Sequence, residues 1–175
     1  LGALQNKGLQ NKAIELVKPK ATYRIFGGTS KAVGQGQNPR SGVTFDYYLN
    51  NNIDSLTLTL EVLENDKVIR TYTNKKKSNF KSWPGGPSKP QVLPSKKGYN
   101  RFTWDFRREP LPSIHKVFIF GGLSGSNVAP GNYTLRMSLG DVVSETEEII
   151  LSNPKVISSS EDFIEQQKML VSIEN

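Results

Sequence analysis

The chain has no cysteine among its 175 residues. No disulfide framework can therefore form, and no thiolate is available as nucleophile or metal ligand. The absence leaves the compartment open. Histidine is nearly absent too: His115 stands alone in a Pro-rich loop, with no acidic partner motif near it. A Ser-His-Asp triad and most zinc sites need more than that. No run approaches the ~20 apolar residues of a membrane-spanning helix. No calcium-loop pattern of alternating acidic residues occurs. The two Gly-rich stretches, Gly27 to Gly36 and Gly121 to Gly125, lack the Gly-Lys-Ser/Thr ending of a phosphate cradle and open no helix. They read as flexible loops.

Acidic residues are missing from one long stretch. Residues 74–98 contain Lys75, Lys76, Lys77, Lys81, Lys89, Lys96 and Lys97 and no Asp, Glu or Arg. The remaining sixteen basic residues balance the 16 acidic ones, so the whole +7 excess sits in this segment. A nucleic-acid domain more often spreads Lys and Arg along a face with interleaved aromatics. The stretch reads first as a solvated insert, and second as a contact for an anionic surface. Its Pro84-Gly85-Gly86-Pro87 run, with Pro90 and Pro94, excludes regular structure.

What is present is period-two alternation. Val43 to Leu49 alternates, and so does Ser55 to Leu63, where Leu56, Leu58, Leu60 and Val62 point one way and Thr57, Thr59, Glu61 and Leu63 the other. Asn65-Asp66 makes a tight turn into Val68 to Tyr72, giving a hairpin. Thr22 to Phe26, Asn100 to Phe106, the apolar run Val117 to Phe120, Tyr133 to Leu139 and Val142 to Leu151 read as further strands. In the Asn100 strand, Phe102, Trp104 and Phe106 face the core, and Asp105 and Arg107 share the other face. Pro130 and Gly131 suit the central positions of a type II turn. Ser159 or Ser160, followed by Glu161 and Asp162, starts a helix carrying Phe163, Ile164, Met169, Leu170 and Ile173. With no βαβ alternation, about seven short strands argue for an all-β sandwich.

Residues 1–20 read as a linker from an upstream domain, as a short helix or an irregular arm ended by Pro19. The sandwich is expected over 21–152, with the lysine-rich insert at 74–98 and a helical extension at 153–175. The opening Leu1-Gly2-Ala3-Leu4 has no initiator Met, which is expected of a piece of a longer protein.

Candidate chemistry is sparse. A glycosidase needs two carboxylates; Asp46 and Asp105, flanked by aromatics, are the best candidates, with Glu109 a further one. Their simpler reading is solvent-facing strand residues bonded to nearby loops. Flat exposed rings stack on sugars, which makes Trp83 and Tyr99 candidate carbohydrate-binding residues. Trp104, mid-strand among apolar neighbours, reads as core.

Several segments together resemble a known module. Lys18-Pro19-Lys20-Ala21-Thr22-Tyr23-Arg24 is similar to its entry strand, and Gly42 to Leu49 to its first long strand. Gly98-Tyr99-Asn100-Arg101-Phe102-Thr103-Trp104-Asp105-Phe106-Arg107 resembles its Asn-Arg-Phe-x-Trp-Asp-x-Arg signature. Ala129-Pro130-Gly131-Asn132-Tyr133-Thr134-Leu135 resembles its Pro-Gly-x-Tyr hairpin, and Asn153-Pro154-Lys155 stands where the module has Asp-Pro-Arg. The module is the C-terminal immunoglobulin-like domain of large bacterial proteins with sortilin-like, BNR-type β-propellers, often labelled glycosyl hydrolase or xyloglucanase-like. The resemblance covers roughly residues 15–172. It implies an immunoglobulin-like (fibronectin III-like) β-sandwich with a short C-terminal helix. Trp104, Asp105, Arg107, Pro130, Gly131 and Tyr133 would be its structural signature. It further implies a non-catalytic accessory role, a secreted, periplasmic or cell-surface location, and an upstream propeller of the same chain as partner. Any hydrolytic chemistry would lie in the propeller. Polysaccharide is the alternative ligand. No cofactor, nucleic acid or membrane insertion is expected.

Overall fold

A computed structural model describes residues 12–26, 34, 41–53, 55–76 and 78–174. The Gly27–Gly36 loop, except for Gly34, and residues 1–11 of the expected linker lie outside the described residues. The chain forms β1 (Ile14–Leu16), β2 (Thr22–Tyr23), β3 (Val43–Leu49), β4 (Leu58–Glu64), β5 (Lys67–Thr73), β6 (Gly98–Trp104), β7 (Gly131–Leu139), β8 (Val142–Leu151) and α1 (Ser160–Glu174). The strands make two sheets, of order β1-β3-β6 and β2-β8-β7-β4-β5. The fold is thus a mostly β, two-sheet sandwich with one helix at its C-terminal end.

Alternation explains the layers. On β3, Val43, Phe45, Tyr47 and Leu49 are buried, and the residues between them are not. β4 and β7 bury Leu58, Leu60 and Val62, and Tyr133, Leu135, Met137 and Leu139, from the other sheet. Each such side chain stabilises the fold by ~1.5–3 kcal/mol on leaving water. Aromatic rings tie the sheets together edge to face. Tyr72 of β5 meets Phe102 of β6 at 4.8 Å, and Tyr133 of β7 meets Trp104 of β6 at 5.5 Å. The β4–β5 turn has positive φ at both Asn65 (48°) and Asp66 (62°), the signature of a type I′ hairpin.

The structure corrects several expectations. Ile14 and Leu16, placed in a linker by sequence, are buried strand residues of β1. β1 pairs antiparallel with β3, and the Leu16 amide donates to Ser144 Oγ on β8 at 3.0 Å. Ile14 reaches the core because β3 supplies the ladder for this short edge strand and Ser144 of β8 receives the Leu16 amide. Leu63 is buried as well as Val62, but it keeps its opposite side of β4: the register with β7 runs on unbroken, Leu63 lies outside the core cluster, and the bulge at this point falls in the pairing with β5. Leu56 precedes β4 and is exposed. Val117–Phe120 is no strand; its side chains are exposed and, among the described residues, no strand offers it a ladder. Pro130 is a bend, but Gly131 has φ 159° and is already the first extended residue of β7, so the type II turn is absent.

β6 ends at Trp104, earlier than the alternation extends. Phe106 has φ 60°, a conformation bulky residues rarely adopt, yet its ring is buried beside Trp104 at 6.3 Å. The turned backbone lets Val128 donate to the Phe106 carbonyl at 2.8 Å. The lysine-rich insert is anchored and not merely solvated. Leu93 is buried, its amide donates to the Thr73 carbonyl at 3.0 Å, and the Tyr47 hydroxyl donates to the Pro94 carbonyl.

The helix begins as its sequence predicts. Ser159 Oγ accepts from the Asp162 amide at 3.2 Å and Asp162 accepts from the Ser159 amide at 2.7 Å, a reciprocal capping box. None of its residues is fully buried. Polar contacts dock it. Glu174 accepts from the Ser126 amide at 2.6 Å, and Gln167 accepts from the Ala129 amide. Gln167 also donates to Glu64 at 2.7 Å, and Glu64 accepts from Arg108 at 2.8 Å.

Candidate functional site

The outward face of the β3–β6 ribbon carries the most organised surface chemistry. The register places Thr44 opposite Thr103, Asp46 opposite Arg101 and Tyr48 opposite Tyr99. Because side chains alternate, these six share one face while Phe45, Tyr47 and Phe102 fill the core. Each pair makes contact. The Thr44 and Thr103 hydroxyls are 2.9 Å apart. Arg101 donates to both Asp46 oxygens, Nε at 2.7 Å and Nη2 at 2.9 Å, in a bidentate fork. Tyr48 and Tyr99 meet edge to face at 5.1 Å.

The electrostatics follow from the fork. The Arg101 hydrogen bonds hold the Asp46 carboxyl below its ordinary range, and Asp46 raises Arg101 in return. The pair is largely exposed, so it contributes at most ~1 kcal/mol to stability. Its consequence is orientation: it fixes a planar guanidinium and a carboxylate side by side. Beside them lies an open groove of about 720 Å³, bordered by Lys18, Lys20, Tyr23, Thr44, Asp46 and Arg101 among the described residues. A smaller hollow of about 360 Å³ is bordered by Asp46, Tyr99, Asn100 and Arg101.

Tyr99 is 51% exposed and belongs to this face. Trp83 does not. Its ring packs on Gly86, meets His115 edge to face at 5.2 Å, and its Nε1 donates to the Val117 carbonyl at 3.0 Å. The two carbohydrate candidates therefore have separate surroundings. The signature residues are structural. Trp104 is fully buried and its Nε1 donates to the Arg107 carbonyl at 2.9 Å. Asp105 accepts from the Tyr72 hydroxyl at 3.3 Å, and Arg107 donates to the Gly125 carbonyl at 2.8 Å, so the two do not pair with each other. Tyr133 donates to the Ala129 carbonyl at 2.7 Å, closing a loop over Pro130 and Gly131.

The three carboxylates considered for hydrolysis each have a different partner. Asp46 is held by Arg101, Asp105 meets Tyr72, and Glu109 accepts from the Thr71 amide at 2.6 Å. Among the described residues, no cluster of three or more His, Asp or Glu is placed to hold a metal ion, and no helix is long and apolar enough to cross a membrane.

Sequence reading missed Arg101 and Tyr48 as site residues. Both sit at outward positions of alternating strands, but only the cross-strand register pairs them with Asp46 and Tyr99. It also missed Glu148. That residue is 1% exposed, neither carboxylate oxygen has a hydrogen bond of normal geometry among the described residues, and burial pushes its carboxyl up to about 7. Thr22 of β2 approaches it and opposes the shift without cancelling it.

No family model, curated protein or solved structure matches this chain.

Proposed function

We propose that the chain is a non-catalytic accessory domain of immunoglobulin-like (fibronectin III-like) type, which packs on or spaces the β-propeller of a large exported protein. The resemblance through the Trp104-Asp105-Phe106-Arg107 strand supplies the association. One observation supports the non-catalytic part: the prominent polar side chains are used to hold the fold together. Arg107 ties β6 to the Gly125 loop, Glu64, itself held by Arg108, receives the helix, and Asp105 and Glu109 bond to β5. On this reading the domain resides outside the cell or in the periplasm, and hydrolysis, where it occurs, belongs to the propeller. Producing the propeller with and without this domain tests the proposal. One shared melting transition, or protection of either part from protease by the other, is expected. Two transitions unchanged by linkage would refute it.

A second reading, a carbohydrate-binding module, is favoured by the β3–β6 face. There the Tyr99 ring stands beside an oriented Asp46–Arg101 fork at the edge of a groove. A glycan array with the wild type, Tyr99→Ala and Trp83→Ala decides it. Binding lost in Tyr99→Ala and kept in Trp83→Ala is expected, and a wild type that binds no polysaccharide ends the reading.

A further inference from the structure

Between Pro110 and Gly125 the chain has no acidic residue, and it holds Ile114, Val117, Phe118, Ile119 and Phe120 within seven positions. Phe120 is 96% exposed, Ile114 72% and Phe118 63%. Apolar side chains scattered singly over a surface need no explanation, but a cluster raised on one loop does. This loop is built, not loose. Leu111 donates to the Leu123 carbonyl at 2.9 Å, Val117 to Ile114 at 3.2 Å and Gly122 to Ile119 at 3.3 Å. The lysine-rich insert braces it from outside. Trp83 Nε1 donates to the Val117 carbonyl at 3.0 Å, and the Ile119 amide donates to the Gly85 carbonyl at 3.1 Å. Packing is so close there that a Cβ on Gly85, itself at φ 69°, would lie 2.5 Å from the Phe118 ring.

Two properties coincide at this tip. Some of its backbone polar groups are already bonded within the protein, which lowers the cost of taking those groups out of water. The bracing insert carries the whole positive excess of the chain, with exposed Lys81 and Lys89 on either side of the Trp83–Pro87 brace and exposed Lys116 in the loop itself. A protein partner would have to offer a shaped cavity for side chains that protrude this far. An anionic bilayer needs no matching shape: its interior takes the apolar tips and its headgroups take the lysines, whose long stems let the ammonium stay at the interface.

We propose that the 110–125 loop, braced by Trp83 and the lysine-rich insert, is a peripheral membrane contact that seats Ile114, Phe118 and Phe120 in an anionic lipid surface. The contact is interfacial and does not span the bilayer. It stands independently of both functional readings above.

The test is co-sedimentation of the chain with phosphatidylcholine vesicles, with and without phosphatidylglycerol. Trp83 emission and its quenching by brominated lipid give a second readout, because Trp104 is buried in the core. Anionic vesicles should bind at least about tenfold more tightly than neutral ones, since each lysine near the surface is worth about fivefold (about 1 kcal/mol). The pair Ile114→Ser and Phe120→Ser alters two of the most exposed side chains and leaves the fold intact, as near-ultraviolet circular dichroism of Trp104 would verify. It should weaken binding by at least about tenfold and abolish the quenching. Lys81→Glu with Lys116→Glu should remove the preference for anionic vesicles. The proposal is overturned if the wild type binds neither vesicle, or if binding survives the Ile114/Phe120 pair. It is equally overturned if the chain ignores vesicles and instead self-associates in a way that this pair abolishes, which would assign the loop to a protein interface.

Discussion

Glu148 gives the sharpest test of the core. It lies on β8 with Ile150 on the same buried face, and desolvation pushes its carboxyl from 4.5 to about 7. The direction fixes the sign. In the unfolded chain the group releases its proton near 4.5; in the folded chain it keeps the proton until about 7. Between these values the native state binds the extra proton, so stability falls as pH rises through the window and stays low above it. Below the unfolded value the side chain is neutral in both states and the penalty vanishes. Each unit is worth 1.36 kcal/mol, so the ionised carboxylate costs on the order of 3 kcal/mol in alkaline solution. Glu148→Gln keeps the shape and removes the charge. Chemical denaturation of both proteins across the pH range, at equal m-value, isolates the effect, because every other titrating group cancels in the difference. The variant should be more stable by about 2–3 kcal/mol near pH 8.5, with the gain disappearing toward pH 4. A difference that is flat with pH, or a variant less stable than wild type in alkali, would show that Thr22 or another partner holds the carboxylate in its charged form and would refute the reasoning.

Two further predictions concern packing. A Cβ added at Gly125 would lie 2.1 Å from the Glu109 carbonyl oxygen and 2.6 Å from that of Arg108, both backbone atoms that cannot step aside. Gly125→Ala should therefore lower stability by about 2–4 kcal/mol, read from the denaturation midpoint. Gln167→Ala removes the side chain that links α1 to both the Ala129 amide and Glu64; amide exchange should speed up across residues 160–174 while the strands of the core keep their protection.

The legibility of this chain divides along one line. Alternation needs only local sequence, and it identified β3, the inward face of β6 around Phe102 and Trp104, the β7–β8 hairpin and the Asn65-Asp66 turn. The helix start was equally readable, because Ser159 and Asp162 cap each other within three residues. Tyr99 could be named as a candidate because a flat aromatic ring is read from residue type alone. Its partners could not be, since Tyr48, Asp46 and Arg101 meet only through a register between strands about fifty residues apart. The same reason explains the errors. Three residues of β1 carry too little pattern to read, and they become a strand because β3 and Ser144 are there to receive them. Val117–Phe120 looks like a strand and finds no strand to pair with among the described residues. Glu148, one carboxylate among several on β8, is buried by the sheet that faces it. Sequence alone determined which faces of the long strands are apolar and where the chain turns. Tertiary structure decided which strands meet, in what register, and which polar groups were taken out of water, because those outcomes depend on pairing across distance and on packing.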